Sequence, residues 1–90
     1  MKQLQRVFRV LGNSRRLAIV HLLIDRRELS VGTVAGFLKL SITATSKHLN
    51  ALAGADLLEK RQESTTVYYR INADAASEAK LILQTIIKLK

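Results

Sequence analysis

Apolar positions along the chain keep a helical period almost throughout and change period once. Leu4, Val7, Phe8 and Leu11 stand at i, i+3, i+4 and i+7, one stripe of a first helix. Gly12 ends it, and Asn13 is placed to cap the next helix by accepting from free backbone N–H groups. That second helix, about residues 14–25, is apolar almost all round through Leu17, Ile19, Val20, Leu22, Leu23 and Ile24, which predicts a central place in the fold. Arg26, Arg27 and Glu28 form a polar break. Ser30 then caps a short third helix whose stripe is Val31, Val34, Ala35 and Leu38, and Ser41 starts a fourth. From about residue 56 to 71 two runs rich in β-branched and aromatic residues flank a polar tip at 63–66, which predicts a hairpin. A last helix, about 74–89, carries Ala75, Ala79, Ile82, Ile86 and Leu89, widened by Ala76, Leu83 and Ile87, with Leu81 apolar even on the far side.

The fourth helix is the informative one. At 100° per residue, Thr45, Leu49 and Leu52 share a narrow face that must point inward. Thr43, Lys47 and Asn50 gather opposite, with Ser46 beside them and Ser41 at the start. One cation among small hydrogen-bonding side chains suits the major groove, where it meets base edges and phosphates, although any solvated helix face has a polar side. The hairpin that follows brings the cations Lys60, Arg61 and Arg70, of which Lys60 and Arg61, together with Lys47, are expected to contact DNA phosphates. Helix, short helix, exposed helix and basic hairpin, in that order, predict one domain over residues 1–90. It is mainly α with a small β-hairpin, a winged helix-turn-helix whose hairpin is the wing. The broad stripe of the last helix exceeds what one small core needs. It predicts a homodimer through the first and last helices, with Leu4, Val7, Phe8, Leu11, Ala79, Ile82, Leu83 and Ile86 at the seam.

Charge strengthens the nucleic-acid reading. Fifteen Lys and Arg against seven Asp and Glu give a net +8, a field that draws polyanions. Aromatic residues are only 4% of the chain and none lies on the exposed helix face, which weighs against base stacking on single strands or RNA. With no cysteine there are no disulfides and no thiolate metal sites. No nucleophile, base and orienting group stand as a set and no Gly-rich phosphate loop is present, so neither catalysis nor a cofactor is expected. The N-terminus lacks the apolar run of a signal peptide, and no stretch reaches the ~18 uncharged residues of a membrane span. The expected setting is cytoplasmic, of prokaryotic type, nucleoid-associated when bound, without membrane contact.

Three segments together resemble the ArsR-type winged-helix repressors. Leu11 to Val20, reading LGNSRRLAIV, is similar to the start of that family's second helix. Leu40 to Leu49, reading LSITATSKHL, resembles its recognition helix, and Val67-Tyr68-Tyr69-Arg70-Ile71 its second wing strand. The resemblance spans nearly the whole chain. It implies a homodimer on a palindromic operator of double-stranded DNA, usually released by an effector, whose identity here is unknown. Metal-sensing members open the third helix with Glu-Leu-Cys-Val-Cys, where this chain has Glu28-Leu29-Ser30-Val31-Gly32. Members that bind zinc through the last helix use Asp and His, and that helix here has no histidine. Neither site can supply the N and S ligands zinc favours, so no metal is expected. Asp56 replaces the glycine that usually precedes the wing, a place it tolerates with positive φ, and Ser64-Thr65-Thr66 lacks the usual tip glycine. His48, at the edge of the recognition helix's buried face, and His21, in the second helix, read as packing and orienting residues. The leading expectation is a sequence-specific DNA-binding repressor. A winged-helix protein-interaction module and a non-specific basic nucleic-acid-binding protein are the alternatives.

Overall fold

The structure is a computed structural model that describes residues 2–75 and 77–89. Helix α1 (Lys2–Leu11) leads into α2 (Ser14–Arg26) across a turn at Gly12. The Asn13 side-chain oxygen accepts from the backbone N–H of Arg15 at 3.0 Å and of Arg16 at 3.1 Å, as a cap should. Arg27 closes α2 with φ 67°, an unusual value for a side-chain-bearing residue, and its N–H reaches the Leu23 carbonyl.

That sharp exit turns the chain into β1 (Glu28–Ser30), where the sequence pattern predicted only a polar break. Three residues are too few to show an alternation. The strand exists because β3, forty residues downstream, offers its free edge, pairing Glu28 with Arg70, Leu29 with Tyr69 and Ser30 with Tyr68. Ser30 ends this strand and also caps α3 (Val31–Leu38), its hydroxyl accepting from the Thr33 N–H at 3.2 Å. Lys39, in the left-handed region, ends α3. Ser41 caps α4 (Ile42–Gly54) by accepting from Ala44 N–H at 3.0 Å.

Asp56, at φ 63°, takes the positive φ expected for its place and redirects the chain into β2 (Leu58–Glu63). A two-residue loop with Ser64 at φ 58° returns it as β3 (Thr66–Ile71), so the missing tip glycine is met by a strained serine. The sheet is antiparallel in the order β1-β3-β2. Asn72 then makes a turn: its side chain accepts from Asp74 N–H and its carbonyl from Ala75 N–H. This turn occupies the stretch expected to begin the last helix, because the Asn72 side chain competes for the backbone donors. Helix α5 (Ser77–Leu89) therefore starts later, Ala75 is buried outside it, and Ala76 lies outside the described residues.

The core gathers from every helix and from the sheet around Val7, Ile19, Leu23, Val34, Leu49, Leu52, Leu57, Leu58 and Tyr69. It also takes Ala79, Leu83 and Ile86 from α5. Val7, Ala79, Leu83 and Ile86 are buried inside the chain itself, since α1 packs on α4 and α5, and α5 also meets α2. A small domain uses its apolar stripes on its own core first. Leu4, Leu11 and Ile82 remain half-buried and Phe8 is 57% exposed. Leu81, Ile87 and Leu89 are exposed as well.

Candidate nucleic-acid interface

Helix α4 buries Thr45, Leu49 and Leu52 and leaves Thr43, Lys47 and Asn50 exposed, with Ser46 half-buried. The split follows from the helical period alone. Ser41 sits exposed at the N-terminus of α4, its oxygen used for the cap and its O–H without an acceptor among the described residues. Ile42, the first residue of the helix, is 55% exposed, an apolar spot on a polar face that sequence reasoning passed over.

The wing has two chemically different faces, because successive strand residues point to opposite sides. Lys60, Gln62, Val67 and Tyr69 share a cleft of about 390 Å³ with Ser46, Asn50 and Val31, so these wing residues look toward α4. A neighbouring cleft of about 450 Å³ runs on past Ser46 and Ile42 to Thr65 and Thr66 at the wing tip. Lys47 and Lys60 have no carboxylate partner among the described residues.

The other wing face is neutralised. Arg61 donates to Glu28 through Nη2 at 2.8 Å and Nε at 3.3 Å, and through Nη1 to Glu63 at 2.6 Å. Its guanidinium lies 4.7 Å from the Tyr68 ring centroid. The Arg61 hydrogen bond holds the Glu28 carboxyl below its ordinary pKa. Arg70 pairs with Glu59 in the same way. The structure thus brings Ser46, Asn50 and Lys60 together, with Lys47 and Thr43 on the same helix face, and separates Arg61 from them. The one-residue offset between Lys60 and Arg61 decides this, and it was present in the sequence once the hairpin was assigned.

Two further contacts hold α4 in place. Arg16 Nε, on α2, donates to His48 Nδ1 at 3.2 Å. Burial lowers the pKa of His48 first, and the charges of Arg16 and Arg15 add to the effect, so the ring is a neutral acceptor. Across the cleft, the Tyr69 hydroxyl donates to Asn50 Oδ1 at 2.8 Å. Burial raises the Tyr69 pKa, keeping that proton in place. Neither partnership is readable from spacing, because each joins elements that only the tertiary fold brings together.

At the start of α3 the Ser30 hydroxyl, besides its cap, donates to Thr33 Oγ1 at 2.9 Å. Among the described residues no three His, Asp or Glu side chains gather as a metal site, and no helix is long and apolar enough to cross a membrane.

Comparison with known proteins agrees with this geometry. Residues 11–61 match the model of a helix-turn-helix domain family. The transcriptional activator HlyU of Vibrio cholerae is 35% identical over 83 residues, covering 92% of this chain and 73% of that protein. Its solved structure superposes with a TM-score of 0.80 at 33% identity over 98% of this chain and 91% of that one. A homodimeric winged helix-turn-helix domain from Mycobacterium bovis, described as a possible ArsR-family transcriptional regulator, also gives 0.80 at 33% identity, over 98% of this chain and 78% of that one. The chain belongs to the ArsR-type winged helix-turn-helix regulators. The family also includes the cadmium-resistance regulator CadC of Listeria innocua, 36% identical over 64 residues and 71% of this chain. This chain spans about half the length of that relative, 54%.

Proposed function

We propose that this ArsR-type chain is a sequence-specific DNA-binding transcriptional regulator, acting as a homodimer with α4 in the major groove and the inner wing face along the backbone. The observation that carries the reading is the meeting of cations and small hydrogen-bonding side chains on one face, where Lys60 of the wing shares a cleft with Ser46 and Asn50 of α4 beside the exposed Lys47 and Thr43. Among the described residues Lys47 and Lys60 stand free on the α4 side, while Arg61 and Arg70 are tied to carboxylates on the opposite sheet face. Thr43, Ser46 and Asn50 supply hydrogen bonds for base edges, Ser41 a hydroxyl for phosphate, and the exposed Ile42 an apolar contact for a thymine methyl. A dimer places two such helices on half-sites about 10 bp apart, or a multiple of that.

The seam we assign to the dimer is the free flank of α1 and α5: Leu4, Phe8, Leu11 and Ile82. The HlyU relative is named an activator, yet occupancy by a dimer is enough to exclude other proteins from the DNA it covers, and we read this chain as a repressor. It acts by binding, without catalysis or cofactor, in the cytoplasm. Fluorescence anisotropy with the chain's own promoter and with random duplex, across salt, tests the proposal. A steep salt dependence on both and a promoter preference of at least 10³-fold are expected. Equal affinity for both duplexes would leave a non-specific binder, and no binding to either would leave a protein-interaction module.

A further inference from the structure

We infer that Tyr69 sets which base Asn50 reads, by holding the Asn50 side-chain carbonyl against the wing so that its NH₂ group alone is left to meet the DNA, selecting guanine over adenine. The inference rests on the DNA-binding reading above and adds a specificity rule to it.

An asparagine side chain carries one acceptor oxygen and two N–H donors. With both ends free it reads adenine, donating to N7 while accepting from the N6 amino group, which requires oxygen and nitrogen to face the base edge together. Here Oδ1 is held 2.8 Å from the Tyr69 hydroxyl. Tyr69 cannot swing away from that contact. The residue is 3% exposed, and its backbone lies in the central strand, paired with Leu29 on one side and Lys60 on the other. Asn50 itself is exposed at the cleft it shares with Ser46, Lys60 and Gln62, so the amide end turned away from Tyr69 is accessible. An amide oriented this way turns its NH₂ donors, rather than its carbonyl, toward the groove. Guanine presents two major-groove acceptors, N7 and O6, whereas adenine pairs one acceptor with a donor that the NH₂ group would oppose. Tyr69 is therefore a positioning residue, acting through Asn50 on base identity.

The test is selection of bound duplexes from a randomised pool by the wild type, Tyr69→Phe and Asn50→Ala. The wild type is expected to enrich guanine at one position in each half-site. Asn50→Ala should lose that preference, and Tyr69→Phe, which keeps the buried ring and frees the carbonyl, should move it to adenine. Replacing that guanine by adenine should weaken wild-type binding about 5- to 150-fold and leave Tyr69→Phe binding equal or tighter. A merely structural role for the hydroxyl would change affinity on all sequences and leave the base unchanged. Identical bases for the wild type and Tyr69→Phe, or adenine already preferred by the wild type, would overturn the inference while the DNA reading stands. An unaltered preference in Asn50→Ala would do the same. Failure of the wild type to enrich any duplex removes the sequence-specific reading and this rule with it. Should Tyr69→Phe not fold, the wild type decides on a duplex with purine, which lacks the 6-amino donor, in place of adenine. Tighter binding than to adenine is expected, and binding no tighter than to adenine overturns the rule.

Discussion

Arg16 on α2 and His48 on the recognition helix are joined by one hydrogen bond of 3.2 Å, from guanidinium Nε–H to imidazole Nδ1. The bond fixes the tautomer, because a nitrogen that accepts carries no proton; the proton sits on Nε2. It works only while the ring is neutral. Burial lowers the His48 pKa below the ordinary 6.5, and Arg16 and Arg15 lower it further. A folded-state pKa below the unfolded one gives stability that is complete above about pH 6.5 and is lost as pH falls through the lowered value. Thermal melts from about pH 7.5 down to about pH 5 should therefore show a falling midpoint in the wild type. His48→Asn, which keeps an acceptor near the Nδ1 position and cannot titrate, should flatten that decline. An equally steep decline in the variant would remove His48 as its source.

The wing makes a prediction that separates neighbours in sequence. Lys47→Ala and Lys60→Ala should weaken binding to operator and random DNA alike. Each should also reduce the salt slope by roughly 0.9 for every phosphate left without its cation in each subunit. Arg61→Ala should leave the slope unchanged, since Glu28 and Glu63 already neutralise that guanidinium. Titrations of the three variants between about 50 and 200 mM salt check this. A reduced slope in Arg61→Ala would mean that DNA breaks the ion pairs and draws Arg61 to phosphate.

How far the sequence could be read depended on the range of the interaction. Helix starts at Asn13, Ser30 and Ser41, and the inward face of α4, are decided within four residues, and each is where the pattern put it. Strand β1 escaped, because its hydrogen bonds come from β3. The split between Lys60 and Arg61 follows from strand alternation, yet charge count alone grouped them. Tyr69 and Arg16 gained their roles only from partners 19 and 32 residues away.

The dimer seam calls for a variant that spares the core. Ile86→Asp would place a charge among buried residues and unfold the chain whether or not it dimerises. Phe8 is different, being more than half exposed in one chain. Phe8→Glu should change the stability of an isolated chain by no more than about 0.5 kcal/mol, the usual range for a surface site. In a seam it should cost several kcal/mol by desolvating a carboxylate. Light scattering should show a dimer for the wild type and a folded monomer for Phe8→Glu. A variant that stays dimeric would move the seam off this flank.

Thr45 offers a stability gain in the recognition helix itself. Its side chain is fully buried, and its hydroxyl has no hydrogen-bond partner among the described residues. Thr45→Val keeps the shape and removes the unpaired group, which should stabilise the fold by about 1–3 kcal/mol. Valine is also β-branched, so the helix is little affected. Denaturant unfolding of the two proteins measures the difference. Destabilisation would show that Thr45 has a partner after all, with a carbonyl of its own preceding turn as the nearest choice.

Relationship to a cadmium-resistance regulator invites the expectation that cadmium releases this chain from DNA, and the side chains argue the opposite. Soft ions are held by thiolates, and the chain has no cysteine. Where metal-sensing members carry two thiolates, this chain has Ser30 and Gly32. The Ser30 oxygen is occupied in capping α3, and Gly32 has no side chain to offer. No histidine lies on α5 to build the family's other site. We expect stoichiometric cadmium, zinc or arsenite to leave the DNA complex intact, measured by anisotropy at constant ionic strength. Release by any of them at one equivalent per subunit would show a site built from other residues, and His21→Gln and His48→Asn would then identify whether an imidazole is among the ligands.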